Sequence, residues 1–307
     1  MTLPRYVLIT PARNERDFIE LTIKSMVAQT VLPLKWVVVS DGSTDGTEEI
    51  VSRYAAEYPW IELVRMPERT GRDFAGKVRA FNAGLERVKG LAYEVVGNLD
   101  GDVSFEEDYF AFLLQKLVED PKLGLVGTPF KDGAGFAYDY NYVSIEHVSG
   151  ACQLFRRECF EEIGGFVPVK GGGVDVIAVI TAQMKGWKTQ TFTEKAILHH
   201  RPLGTAEHGA LIARFRAGTK DYALGNLLIW ELSRSVYQFK NRPLVVGGLM
   251  LLIGYLWSMV RHVNRPVSPE LVQFRQREQM QRLKKLMMRK RSSARSHLEA
   301  SSFRSLS

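Results

Sequence analysis

Short runs rich in β-branched residues recur near the start of the chain, Tyr6-Val7-Leu8-Ile9-Thr10, Trp36-Val37-Val38-Val39-Ser40 and Ile61-Glu62-Leu63-Val64, with helical patterns of ten or more residues between them. That alternation is the signature of βαβ units, in which right-handed crossovers bring successive strands into parallel register. Helices are expected over Arg16 to Ala28, Asp45 to Tyr58, Lys77 to Val88 and Glu106 to Val118. The predicted class is α/β: an open, mostly parallel twisted sheet with helices on both faces, whose ligands collect at the C-terminal ends of the strands.

Three of those ends carry polar residues. Pro11-Ala12-Arg13-Asn14-Glu15 follows the first strand, Asp41-Gly42-Ser43 the second, and Asp100-Gly101-Asp102 the apolar run Glu94 to Asn98. Adjacent in a parallel sheet, they suit an elongated ligand with a polar base, a ribose and a diphosphate. Asp100 and Asp102 could hold the diphosphate through a hard divalent cation, which needs only one or two carboxylates from the protein. Asp45 and Glu48, three apart at a helix start, read as a capping box. Past Gly150 come a strand at Cys152 to Phe155, a helix through Arg157 to Ile163, the glycines 164–165 and 171–173, and a helix from about Asp175 to Lys185. The triple glycine is either a loop that closes over substrate or a turn that needs positive φ angles.

In order, the chain presents Pro11-Ala12-Arg13-Asn14-Glu15, Val37 to Asp45, Gly76-Lys77-Val78-Arg79-Ala80-Phe81-Asn82-Ala83-Gly84, Asn98 to Asp102, Gly150-Ala151-Cys152 with Arg156-Arg157, Ile163 to Phe166, Asp175, and Gly186-Trp187-Lys188. Over about residues 5 to 200 this set resembles the family 2 glycosyltransferases, with the GT-A nucleotide-diphospho-sugar transferase fold. The resemblance implies transfer from a nucleotide-diphosphate sugar, a UDP-sugar favoured, with Mg2+ or Mn2+ as cofactor. It implies donor contacts at Pro11, Arg13, Asn14, Glu15 and Asp41, with Asp100 near the ribose or sugar. Lys77, Arg79 and Asn82 fall near the donor, unless they form a solvated helix face, and Arg13 is alternatively structural. Asp102 is the expected metal ligand, joined by His199 unless the His199-His200 pair is an incidental surface turn. Asp175 holds the place of the catalytic base, or else caps its helix; Val174 stands where the family has a second acid.

Charge bears on partners. From Arg261 onward, 12 Lys or Arg face 3 Asp or Glu, so the overall +7 belongs to the tail and the remainder is slightly acidic. That argues against a nucleic-acid-binding face. Cys152 and Cys159 form no disulfide framework and match no zinc or redox spacing, so both read as packing residues in a reducing setting. The N-terminus lacks the charged and apolar regions of a signal peptide. Residues 243–260 form an uncharged stretch of 18 residues, at the lower limit for a membrane span, with basic residues on both flanks. The expected layout is a transferase domain over 1–220, an interfacial helix and membrane segment over 221–265, and a basic, amphipathic or partly disordered tail over 266–307 with disorder from Ser292. The membrane segment is read as a short or re-entrant anchor at the cytosolic face, with a lipid-linked or glycan acceptor. Rival readings are a nucleotidyltransferase, a non-catalytic scaffold that binds nucleotide-sugar, and a dinucleotide-binding oxidoreductase. The last lacks its glycine fingerprint after the first strand.

Overall fold

The computed structural model describes residues 2–68, 74–132, 135–136, 144–169, 171–201, 209–239 and 245–304. The chain divides into two compact units, Met1–Ala206 and Glu207–Ser307. In the first, β1 (Tyr6–Ala12), α1 (Ile19–Val27), β2 (Lys35–Asp41), α2 (Thr47–Glu57), β3 (Ile61–Met66), α3 (Phe74–Val88) and β4 (Val95–Leu99) alternate as the apolar pattern predicts. Then come β5 (Val103–Ser104), α4 (Tyr109–Glu119), β6 (Leu123–Gly127), β7 (Phe130–Asp132), β8 (Gly135–Phe136), β9 (Cys152–Arg156), α5 (Arg157–Glu162), α6 (Val174–Met184), β10 (Lys188–Thr191) and β11 (Ile197–His199).

The main sheet has the order β10-β6-β9-β4-β1-β2-β3. Its pairs are parallel except at β9, which runs antiparallel to both β4 and β6. Successive side chains on a strand point to opposite faces, so continuous apolar runs need helices on both sides. Tyr6, Leu8, Trp36 and Val38 accordingly join Ile23 and Met26 of α1 and Leu113 of α4 in one core. Ile9 and Val39 turn the other way and meet Gly84 of α3, where a Cβ would lie 3.1 Å from Val39 and closer still to Ile9. The helix therefore reaches the sheet only because that residue is glycine. A second small sheet, β5-β11-β7-β8, sits beyond the end of β4.

Two local expectations change. Asp45 and Glu48 form no reciprocal capping box: Asp45 accepts from the amides of Arg16 and Thr47, whereas Glu48 accepts from Ser40 Oγ (2.6 Å) and Arg65 Nε (2.8 Å). Gly46, at φ 97°, is the residue at the cap. The glycines 172 and 173 have φ 85° and 90°, which makes the turn reading the one the backbone supports. Cys152 and Cys159 are buried and unpaired, and burial pushes each thiol up to about 12, consistent with packing.

The second unit consists of α7 (Ala210–Ala223), α8 (Leu228–Gln238), α9 (Val246–Val260) and α10 (Pro269–Arg304). Among the described residues, no helix is long and apolar enough to cross a membrane. The expected membrane segment becomes the 15-residue α9, about 22 Å of helix at ~1.5 Å per residue, against roughly 30 Å of hydrocarbon; Pro243 and Leu244 lie outside the described residues. Its glycines serve helix packing, with Gly254 against the Phe215 carbonyl of α7 and Gly248 against the Ser235 carbonyl of α8, leaving no room for a Cβ. Helix α10 continues through the tail to Arg304. Its Lys, Arg, Gln, Leu, Met and Ala residues are good helix formers, and no Pro or Gly interrupts them after Pro269.

Candidate active site

Strand β4 ends at Leu99, and Asp100-Gly101-Asp102 spans the step from it to β5. Strand β11 pairs antiparallel with β5 in a register that sets His199 opposite Val103. This short ladder brings together residues almost a hundred positions apart. His199 Nε2 stands 3.5 Å from Asp102 Oδ1, and the His200 amide donates to the Asp102 carbonyl at 2.9 Å. One ligand atom each from Asp100, Asp102 and His199 lies within 4.8 Å of the others, a spacing that fits a single cation.

The donor chemistry fits as well. His199 Nδ1 lies 2.6 Å from the Arg201 carbonyl, an oxygen that can only accept, so Nδ1 carries the proton. Nε2 faces the carboxylates and, in the neutral ring, offers a cation its lone pair, the arrangement in which a backbone acceptor orients a metal-binding imidazole. Two oxygen donors and one nitrogen suit Mn2+ well and Mg2+ less well. His200 is turned aside: its ring stacks on Phe18, and its Nε2 lies 3.0 Å from Ser104 Oγ. Burial holds its pKa below the ordinary histidine value.

Two cations balance the acidic corner. Lys77 of α3 donates to Asp100 Oδ1 at 2.5 Å. Burial alone would depress the Lys77 ammonium, but the carboxylates of Asp100, then Asp175 and Asp102, raise it above its usual range. The Asp100 carboxyl is raised, chiefly by burial, with Asp102 adding to the shift and Lys77 opposing it. The second cation, Arg201, was not anticipated. Its guanidinium pairs with Glu15, lies 3.6 Å from Asp102 Oδ2, and reaches the Asn14 carbonyl. A demand for positive charge near Glu15, Asp41, Asp100 and Asp102 was visible in the sequence, but only the β5–β11 ladder identifies Arg201 as its source.

The other expected residues occupy distinct positions. Asn14, at φ 55°, accepts from the Thr44 amide through Oδ1 (2.9 Å), while its own amide donates to Ser43 Oγ; it thus stitches together the ends of β1 and β2. Asp41 is buried at the end of β2, and Pro11 and Arg13 are half-buried. Arg79 and Asn82 are exposed on α3, and Lys77 is tied to the acidic corner through Asp100. Asp175 does not cap α6. Gly173 holds the cap, and Asp175 stands in the first turn. There it abuts Gly150, where a Cβ would come within 2.9 Å of Asp175 Cβ and 3.0 Å of Oδ2. Asn98 Nδ2 donates to the Gly150 carbonyl at 2.9 Å, and the Asp100 amide donates to that of Ala151. The backing of Asp175 and the acidic corner are therefore anchored on the same two strands, β4 and β9.

The sequence model described as Glycosyl transferase family 2 matches residues 7–164. The chain belongs to this family. Among curated relatives, glycosyltransferase AglE of Haloferax volcanii is 27% identical over 272 residues, covering 83% of this chain and 82% of its own. Chondroitin synthase of Pasteurella multocida is 28% identical over 144 residues, 46% of this chain but 14% of that protein. Among solved structures, the mannosyltransferase PcManGT from Pyrobaculum calidifontis, in complex with GDP-Man and Mn2+, aligns with a TM-score of 0.57 at 21% identity, covering 88% of this chain and 78% of that one. TarS residues 1–349 from S. aureus aligns at 0.54 and 15% identity, covering 84% and 73%. At such identities the structural likeness speaks for the fold, which is that of the GT-A glycosyltransferases. The chain is a glycosyltransferase.

Proposed function

We propose that the chain transfers a sugar, with inversion and with a divalent metal, from a nucleotide-diphosphate sugar to a hydroxyl of a lipid-linked or glycan acceptor at the cytosolic membrane face. The observation that carries this reading is the Asp100, Asp102 and His199 cluster at the end of β4, with Lys77 bound to Asp100 and close enough to Asp175 to be influenced by it. Asp102 and His199 would be the metal ligands, with Asp100 within reach of the same cation and on the side where the family resemblance puts the ribose or sugar. A bound Mn2+ or Mg2+ would neutralise the charge that grows on the departing diphosphate. Lys77 adds positive charge on the same side. Asp175 takes the proton from the acceptor hydroxyl as that oxygen bonds to the anomeric carbon. The bond from that carbon to the diphosphate oxygen breaks in the same displacement, which inverts the anomeric centre.

Relatives differ in donor: PcManGT was solved with GDP-Man, and TarS with UDP-GlcNAc. A UDP-sugar is therefore our first candidate on family resemblance alone, and a test panel needs both nucleotides. The roles separate in two variants. Asp102→Ala and Asp175→Asn each abolish transfer, but only Asp102→Ala weakens Mn2+-dependent donor binding measured by calorimetry. Equal loss of donor binding in both variants would contradict the assignment. Binding of donor by the wild type without turnover on any acceptor would favour the scaffold reading that Val174 raises.

A further inference from the structure

The second unit is built inside out. In α8, Glu231 and Ser235 are buried at 0% and 2% exposure, whereas Ile229, Leu232 and Val236 on the opposite side are 53%, 44% and 64% exposed. Glu231 faces a polar interior. Arg234 pairs with Asp221, Arg275 Nε donates to Asn226 Oδ1, and Gln279 Nε2 donates to the same oxygen at 2.7 Å. In α9, Gly248, Leu251, Gly254 and Tyr255 pack inward, and Leu249, Ile253, Trp257 and Val260 form an exposed stripe at spacings of 4, 4 and 3. Helices in a water-soluble bundle normally hide the apolar side and expose the polar one. All but six of the exposed large hydrophobic residues described in the chain lie in this unit, so the inversion is not the usual scatter of single apolar residues.

Charge identifies the occupant. From Glu207 to the end, 18 Lys or Arg stand against 6 Asp or Glu, while residues 1–206 carry an excess of acid. Arg261, one residue past α9, stacks over the Trp257 ring at 4.7 Å, so an aromatic and a cation share the helix end. Apolar stripes on a strongly basic unit, with a cation at the end of the α9 stripe, suit an anionic bilayer surface, with Trp and Arg at headgroup level. With α9 too short to span, we propose that the exposed faces of α8 and α9 lie in the plane of the bilayer surface, embedded to the depth of one helix face, and that anionic lipid headgroups are the partner. This deepens the membrane-face reading above, and its test uses vesicle binding without turnover, so its failure leaves the transferase reading intact.

The full chain is floated with vesicles of phosphatidylcholine alone and with vesicles containing phosphatidylglycerol. The expected result is at least about tenfold tighter binding to the anionic vesicles, declining as salt is raised. Trp257 fluorescence, taken as the difference between the wild type and Trp257→Phe, is quenched more by lipids brominated near the headgroup than by lipids brominated near the chain ends. The double variant Leu232→Gln/Ile253→Gln alters exposed side chains only; it keeps the wild-type circular dichroism and loses at least about tenfold in vesicle binding. If that pair fails to fold, Val236→Thr/Val260→Thr replaces it with the same expectation. Absence of binding to anionic vesicles, equal binding to neutral ones, or stronger quenching from the bilayer centre overturns the proposal. So does a vesicle-free dimer that the double variant dissolves, since the occupant would then be a second copy of this chain.

Discussion

At Gly150 a single hydrogen atom occupies the space between a backbone turn and the carboxyl of Asp175. Gly150→Ala puts a methyl group there and moves Asp175, the proposed base. Because a misplacement of about 1 Å in a reacting group costs about 10²-fold in rate, turnover should fall by about that factor while Mn2+ affinity holds, as steady-state kinetics and metal titration will read. Arg201 offers the complementary experiment. Its loss in Arg201→Met removes the guanidinium paired with buried Glu15 and close to buried Asp102, and breaking such a pair costs about 3 kcal/mol. Denaturant unfolding should show that loss, and added Mn2+ should restore more stability to the variant than it adds to the wild type. At this scale the sequence marks Asp102, His199, Lys77 and Asp175 as residue types suited to the chemistry, but it assigns Asn98 and Gly150 no role beyond motif membership and does not single out Arg201. Those three act through backbone carbonyls and ion pairs that exist only after β4, β9 and β11 have come together.

Strand and helix placement was legible wherever burial on both faces or an amphipathic period dictated it, as in β1, β2, α2 and α4. It failed where tertiary partners overrode a local motif. Glu48 fits a capping box, yet Ser40 and Arg65 claim its carboxylate. Hydrophobicity marks residues 243–260 as a short or re-entrant anchor; among the described residues α9 is 15 residues long, too short to cross a bilayer, and its glycines pack against α7 and α8. Helix α8 carries the clearest consequence for pH. Burial, reinforced by Asp221, pushes the Glu231 carboxyl from its ordinary value of 4.5 up to about 8. A group that holds its proton more tightly when folded stabilises most below the unfolded pKa, so stability should decline as pH rises from about 4.5 to about 8 and level off above. Glu231→Gln lacks that dependence. Its thermal midpoint should match the wild type near pH 4.5 and exceed it by a margin that widens up to pH 8, measured by circular dichroism.

Over the whole molecule, the sequence foretold an α/β transferase unit followed by a basic, apolar C-terminal region, because composition changes sharply along the chain. What it could not show was which surface of that region is left uncovered, since the inverted polarity of α8 appears only when its buried and exposed sides are known. Ligand binding is also read over the whole molecule. A nucleotide-diphosphate sugar with Mn2+ at about a hundred times its dissociation constant should stabilise the chain by about 2.7 kcal/mol, and a thermal shift across UDP- and GDP-sugars will rank the donors. The residues proposed to bind it are spread from Glu15 to Arg201, and the small ladder of β5 with β11 closes that long circuit. The tandem His199-His200 gives the circuit a one-sided tolerance to changes in chain length. Deleting one residue between Phe192 and Ile197 draws His200 into the slot opposite Val103 and keeps an imidazole beside Asp102, whereas inserting one draws in Leu198 and leaves the cation with carboxylates alone.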